Sequence, residues 1–319
     1  MSRASAPVGP ALRRDRGVAL VTALLVVAIA TIMAVQLMGR QLYDIRRTQN
    51  LVEREQAQAY IRAAEDWSME LLVDNRREGE AVDHLNELWA QELAPPPFEG
   101  VQLLIRIEDM QSRLNLNGLV GSGGELVEAE ALRLSRLFQA LDVDPAIVSA
   151  VADWIDPDSE VRFPDGAEDD YYSRLDPPYR TANRPMASAT ELRLVRDIDD
   201  EAFSRLSPFV TALPEASTVN VNTAPPEVLR SIADGLSEND AQALIDARPI
   251  DGHPDVADFM QHDVLAGRDV AEGLLGVGSN WFLMRVEVRL GNTALRGETL
   301  IFRGDGGAAR PVLRRQGFL

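Results

Sequence analysis

At 319 residues and 35.1 kDa the chain is longer than one small domain needs, which implies two folded units with appendages. Hydrophobic residues make up 45% and mean hydropathy is −0.13, which excludes a disordered chain and a multi-span membrane protein alike. Acids outnumber bases 50 to 32, and the resulting charge of −18 is repelled by phosphate backbones and anionic surfaces unless a local patch reverses the sign.

Residues 18–38, VALVTALLVVAIATIMAVQLM, carry no charge. At ~1.5 Å per residue they make a helix about 31 Å long, the thickness of a bilayer core. Arg3, Arg13, Arg14 and Arg16 precede them against a single Asp15, which places the N-terminus in the cytoplasm and everything after Met38 outside it. Ala28-Ile29-Ala30 has the small-x-small form of a secretory cut. The apolar run continues eight residues past Ala30, however, so the expectation is a retained membrane helix.

From Gly39 to Asn75 there is no Pro. Leu42, Ile45, Leu51, Val52, Ala59, Ala63, Trp67, Leu71 and Leu72 recur near helical spacing among Arg, Gln, Glu and Asp. The spacing predicts one helix of roughly 55 residues, about 80 Å, membrane-embedded over 18–38 and amphipathic over 39–75. Asp74-Asn75-Arg76-Arg77-Glu78-Gly79 is its expected end.

Pro95-Pro96-Pro97 marks a break, and Val101–Asp109 reads as a strand that runs through residues 111–117 into a turn. Helical patterns follow at 125–141 and 145–155, then a polar loop at 156–187. Short helices are expected at 188–195, 199–206, 225–234, 237–247 and 254–265. Residues 281–290 and 294–302 alternate apolar and polar around Gly291-Asn292, a hairpin signal. A lone hairpin is marginal in water, so the simplest α+β arrangement joins these strands in one antiparallel sheet packed on the long helix. Residues 76–119 and 276–319 then form the head, and 120–275 an inserted α-helical domain divided at 212/213.

Between residues 153 and 176 nine acids face two Arg, a repulsion that some cation must offset. The chain has no Cys and only His84, His253 and His262, so a thiolate or His-rich zinc site is excluded. Hard oxygen donors suit Ca²⁺, which takes six to eight of them. Asp156, Asp158 and Glu160 have the opening spacing of an EF-hand loop, but Val161 stands where Gly is required and the twelfth position lacks Glu. A solvated acidic loop is the alternative reading. His253 and His262, which flank Phe259, read as surface or packing residues.

No G-x-S-x-G, P-loop, H-E-x-x-H or G-x-G-x-x-G element is present, and carboxylate pairs in so acidic a chain carry little weight; no catalytic residue is expected. Val219–Leu229, leading to a second helix near 241–248, resembles the helix-hairpin-helix element of DNA-binding competence receptors. Thr223 or Asn222 would cap its first helix, with Pro225 or Pro226 in the first turn. The turn, Asp234–Asp240, has one Gly and several acids, which disfavours phosphate approach, so protein packing and no nucleic acid are expected.

Arg13-Arg14-Asp15-Arg16-Gly17 before Val18-Ala19-Leu20-Val21 resembles a prepilin-type leader. That resemblance implies removal of residues 1–17 by a prepilin peptidase, with the cut between Gly17 and Val18 and methylation of the new amine. Loss of four Arg and one Asp, net +3, would leave a mature chain near −21. The fifth mature position, usually Glu in this class, is Thr22, a departure typical of the K-class minor pseudopilins of type II secretion. Further along, Asp153-Trp154-Ile155-Asp156, Gly166-Ala167-Glu168, Tyr172, Pro178-Tyr179, Ala182-Asn183 and Glu191-Leu192-Arg193 are similar to that family.

The resemblance implies a pilin-like α/β head interrupted by a large helical insert. It also implies calcium in that insert, with Asp156, Asp158, Glu168 and Asn183 as ligands, Glu160 and Asp170 as further ones, and Asp153 and Glu191 capping helices or orienting Arg193. Implied partners are the I- and J-class minor pseudopilins, the major pseudopilin and the prepilin peptidase. The implied location is the inner membrane, spanned once, with the bulk of the chain in the periplasm. The expected role is at the pseudopilus tip, where a subunit with no other above it needs no Glu at Thr22 to meet a neighbour's amine. A membrane-anchored Ca²⁺- or DNA-binding receptor, or a minor pilin of a type IV pilus, are the alternatives.

Overall fold

One uninterrupted helix, α1 (Asp15–Glu78), carries the apolar span and its amphipathic continuation through 64 residues, about 96 Å. This computed structural model describes residues 15–78, 81–92, 100–304, 306 and 308–318; most of the expected leader and the Pro95-Pro96-Pro97 break lie outside them. The most apolar 18-residue window of α1 has mean hydropathy 2.8 and none of it is buried. From Glu53 onward the helix is docked. Ala57, Ile61, Ala64, Ser68 and Leu72, spaced three to four apart, are buried and turn one face onto a sheet.

That sheet is antiparallel and four-stranded, in the order β1 (Val101–Asp109), β6 (Trp281–Leu290), β7 (Thr293–Arg303), β8 (Ala309–Phe318). Ile105 pairs with Val286, and Val286 with Gly297, so one face of each strand meets α1. The core between them holds Ile61, Leu72, Trp89, Ile105, Phe282, Met284, Val286 and Ile301, each side chain worth roughly 1.5–3 kcal/mol when buried. Gly297 allows the closest approach: a Cβ there would lie 2.8 Å from Ile61 Cγ2 and 3.0 Å from Val286 Cγ1. The expected hairpin turns at Gly291-Asn292, where φ is +56° at Gly291 and not positive at Asn292, the type II′ pattern. Glu53 of α1 closes the turn, accepting from Asn292 N at 3.2 Å.

The fourth strand was not expected. Pro311 interrupts the pattern of 309–318, and the sheet absorbs it at the edge, with a register shift opposite Leu300/Ile301.

The chain leaves the sheet at Asp109 and rejoins it at Trp281. Between lie β2 (Leu114–Asn115), α2 (Glu128–Ala140), α3 (Ile147–Ile155), α4 (Asp169–Tyr172), α5 (Asp200–Leu206), β3 (Val210–Thr211), β4 (Val219–Asn220), α6 (Pro226–Arg230), α7 (Glu238–Asp246), α8 (Val256–Met260) and β5 (Leu275–Gly276). The short parallel pair β2–β3 ties the start of this helical insert to its middle, and β4–β5 ties the middle to its end. It has its own core, in which Leu137, Phe138, Val151, Leu206, Val228 and Leu244 meet. Leu114, Leu116 and Leu119, expected to belong to the head, pack in that core instead, because β2 pairs with β3. The segment expected as a helix at 188–195 is a six-residue 3-10 turn capped by Ser188.

Candidate metal centre

The acidic loop begins where α3 ends. α3 is apolar on almost every face and buries Val151, Ala152, Asp153, Trp154 and Ile155, so the carboxylates of Asp153 and Asp156 are carried inward with it. Tyr172 anchors the far end of the loop. Its ring meets Trp154 edge-on at 5.3 Å, and its hydroxyl accepts from Arg196 N at 3.1 Å. Gly166 lets the backbone fold over Asp153, since a Cβ there would sit 2.1 Å from Asp153 Oδ2 and 2.6 Å from the Arg162 carbonyl oxygen.

Within this cradle one carboxylate oxygen from each of Asp156, Asp158 and Glu168 lies within 4.8 Å of the others. Each of these residues also has an oxygen that is already held. Arg162 Nη2 donates to Asp156 Oδ2 at 2.6 Å, Thr181 Oγ1 to Glu168 Oε2 at 2.8 Å, and Glu160 N to Asp158 Oδ1 at 2.7 Å. Asn183 takes a left-handed conformation, φ 45°, and its Nδ2 donates to the Asp158 carbonyl at 2.7 Å. Three buried oxygens are left with no partner: Asp156 Oδ1, Glu168 Oε1 and Asn183 Oδ1. Buried acceptors without donors are costly, of order 1–3 kcal/mol each and more when charged.

Burial pushes Glu168 up to about 7, and the neighbouring Asp153 and Asp156 add to the effect. Desolvation likewise raises Asp153 to about 6 and raises Asp156, against the guanidinium of Arg162. One Arg among four carboxylates leaves a net negative, oxygen-only cradle with unfilled acceptors. That donor set fits a hard cation such as Ca²⁺, and Asp156, Asp158, Glu168 and Asn183 are the residues placed to hold one.

Glu160 and Asp170 stand exposed outside the cluster. Asp153 is bound by Arg162, from its backbone N at 3.1 Å and its Nε at 3.3 Å. Glu191 does not orient Arg193. It accepts from Ala187 N at 2.7 Å, while Arg193 pairs with Asp200 and stacks 4.1 Å over Phe203. Sequence reasoning passed over Arg162 and Thr181, although Arg162 is the one base between residues 153 and 173 and could have been noticed on that ground.

The second motif also packs inward. Neither Thr223 nor Asn222 caps α6; Pro225 is the N-cap residue and Pro226 opens the helix. The Thr223 hydroxyl donates instead to Asp109 Oδ2 at 2.6 Å, and Asn222 Oδ1 accepts from His253 N at 2.7 Å. His253 is buried, edge-on to Phe259, with Nδ1 2.8 Å from Asp258 Oδ2. In the α6–α7 turn the Asp234 carbonyl accepts from Arg268 Nη1 at 2.6 Å, and the Asp234 carboxylate is exposed.

Two family models, both described as type II secretion system (T2SS), protein K, match residues 112–215 and 219–278. The type II secretion system protein K of Pseudomonas aeruginosa is 35% identical over 316 residues, covering 96% of this chain and 94% of that protein. The chain belongs to the type II secretion system protein K family. Protein K of Aeromonas hydrophila is 33% identical over 92% of this chain and 95% of its own length. A solved chain from the GspK-GspI-GspJ complex of enterotoxigenic Escherichia coli superposes with a TM-score of 0.75 at 27% identity, covering 85% of this chain and 99% of that one. The long apolar helix, the antiparallel sheet and the helical insert are therefore the fold of a protein K.

Proposed function

We propose that the chain is a minor pseudopilin at the tip of the type II secretion pseudopilus, where it assembles with I- and J-class minor pseudopilins and helps start filament growth and export. The observation that carries the reading is the combination of α1, exposed and apolar before Gly39 and docked after Glu53, with an insert that interrupts the head between Asp109 and Trp281. A rod of that kind packs among similar rods, while the insert's bulk beside the sheet obstructs a further subunit above it. The likeness to GspK in its complex with GspI and GspJ supports the same partners.

Prepilin peptidase would remove residues 1–17, freeing Val18 for methylation before the subunit meets the major pseudopilin. The span would lie in the inner membrane with the head in the periplasm. Thr22 fits a position that meets no neighbouring amine: its hydroxyl donates within α1 to the carbonyls of Val18 and Ala19, at 3.1 and 3.0 Å. A carboxylate at that depth would cost about 2.5–3.5 kcal/mol unless paired. The insert would hold Ca²⁺ in the cradle of Asp156, Asp158, Glu168 and Asn183; the family's role needs no catalytic group.

The direct experiment is co-expression with the I- and J-class subunits, followed by N-terminal sequencing of the membrane-bound chain. A ternary complex whose chain begins at Val18 is expected. A chain that begins elsewhere, or that binds neither subunit, counts against the reading.

A further inference from the structure

The helix leaves its apolar span through a basic stretch. Residues 39–54 carry Arg40, Arg46, Arg47 and Arg54 against Asp44 and Glu53, net positive in a chain of −18. Cations on the side to which the head emerges run against the positive-inside tendency, so they call for a local reason. Arg40, Arg46 and Arg47 make no hydrogen bond or ion pair with another described residue, and Asp44 pairs with none of them. Glu53 is occupied elsewhere: its carboxylate accepts from Gln49 Nε2 at 3.0 Å and from Asn292 N at 3.2 Å.

The arginines also share a face. Tyr43, Arg46, Arg47, Asn50 and Arg54 recur at helical spacing along one wall of an open cleft of about 730 Å³, whose opposite wall is the hairpin tip at Asn292–Ala294. A second cleft continues it past Tyr43 to Arg40 and Gly39. The depth of this face follows from the span. The headgroup layer adds about 5–8 Å beyond the hydrocarbon core. At ~1.5 Å per residue past Met38, Arg40 and Tyr43 stand about 3 and 7.5 Å out and Arg46 and Arg47 about 12–14 Å, within reach of phosphates on long side chains. Tyr43, largely exposed, sits where aromatic residues mark the membrane boundary.

We propose that this arginine face binds the phosphates of anionic phospholipid headgroups at the membrane surface from which α1 emerges, holding the subunit there until it is drawn into an assembly. Phosphatidylglycerol supplies the required chemistry, a phosphate diester without a compensating amine. The proposal rests on α1 spanning the bilayer, and vesicle flotation tests that premise on its own.

The test uses the full chain reconstituted in phosphatidylcholine vesicles with traces of spin-labelled phosphatidylglycerol or spin-labelled phosphatidylcholine. The motionally restricted fraction reports which lipid sits against the protein. A preference for phosphatidylglycerol is expected at low salt, with about fivefold contributed by each engaged Arg. It should approach unity in an R40Q/R46Q/R47Q variant and in 0.5 M salt, and 10 mM inorganic phosphate should leave it intact. Equal fractions for the two lipids in a chain that floats with the vesicles would overturn the proposal. So would an unchanged preference in the variant, displacement by inorganic phosphate, or cross-linking of the arginine face to an acidic segment of a second copy without lipid preference. A chain that fails to float would overturn the membrane premise and the proposal together.

Discussion

Arg303 of β7 and Asp83, in the segment after α1, form an ion pair shut off from solvent, with Arg303 Nη2 2.6 Å from both Asp83 oxygens. The same guanidinium donates to the carbonyls of Leu72 at 3.0 Å and Ser279 at 2.7 Å, so α1, the sheet and the end of the insert share one charge. Ser279 N in turn donates to Asp83 Oδ2 at 2.7 Å. Without Arg303, Asp83 retains the longer 3.8 Å contact with Arg76, and without Asp83, Arg303 retains neutral acceptors such as the Leu72 carbonyl and Asn75 Oδ1. Losing this buried pair should cost about 3–5 kcal/mol. Arg303→Met and Asp83→Asn should each lower the unfolding free energy, read from urea titrations, by that much. A loss below about 1 kcal/mol would show that the pair does not hold the three parts together.

Asp109 is the neighbouring buried acid, and burial raises it to about 6 despite donors from Ser279, Thr223 and Gln111. A carboxyl whose folded value lies above its unfolded value of about 3.8 stabilises the fold most when protonated. Its contribution is present below about pH 4 and lost as pH rises through about 6. Asp109→Asn should flatten the dependence of stability on pH between 4 and 6, whatever it does to stability itself. Denaturant melts at several pH values read this slope, and an unchanged slope would count against the assignment.

Gly297 lies under Ile61, and a methyl group at 2.8 Å forces either α1 or β7 to move. Overpacking of this kind costs typically 1–3 kcal/mol. Gly297→Ala should lower the melting temperature of the head, and pairing it with Ile61→Val should recover part of the loss. Absence of any recovery would place the strain elsewhere.

Addition of Ca²⁺ at one hundred times its Kd should stabilise the protein by about 2.7 kcal/mol, reversed by EDTA. Glu168→Gln should remove the response while raising the melting temperature of the cation-free protein, because it removes a buried charge and its repulsion from Asp153 and Asp156. Asp170→Asn, outside the cluster, should keep the response. No shift with Ca²⁺ in the wild-type chain would sink the site.

Thr22→Glu should leave secretion unchanged or impair it, measured as exported enzyme per cell. An increase would contradict the tip position.

Much of the site's chemistry was visible in residue types alone: nine acids with two Arg and no Cys already restrict a bound metal to hard cations. The geometry was not visible. Glu160 has the EF-hand spacing yet points to solvent, whereas Asn183, more than twenty residues away, brings an unpartnered oxygen to the cradle. That selection is made by the packing of Tyr172 on Trp154, which returns the loop to the end of α3.

By itself the sequence determined the rod, three strands of the main sheet and the helical texture of the insert, because a 21-residue apolar run and periods of 3.6 and 2 are local properties that few neighbours can override. Only the tertiary structure decided that Leu114, Leu116 and Leu119 join the insert's core, that 309–318 complete the sheet as a fourth strand, and which carboxylates meet. Each of these depends on contacts between residues far apart in the chain, where register and burial are settled by the fit of surfaces and leave no periodic trace.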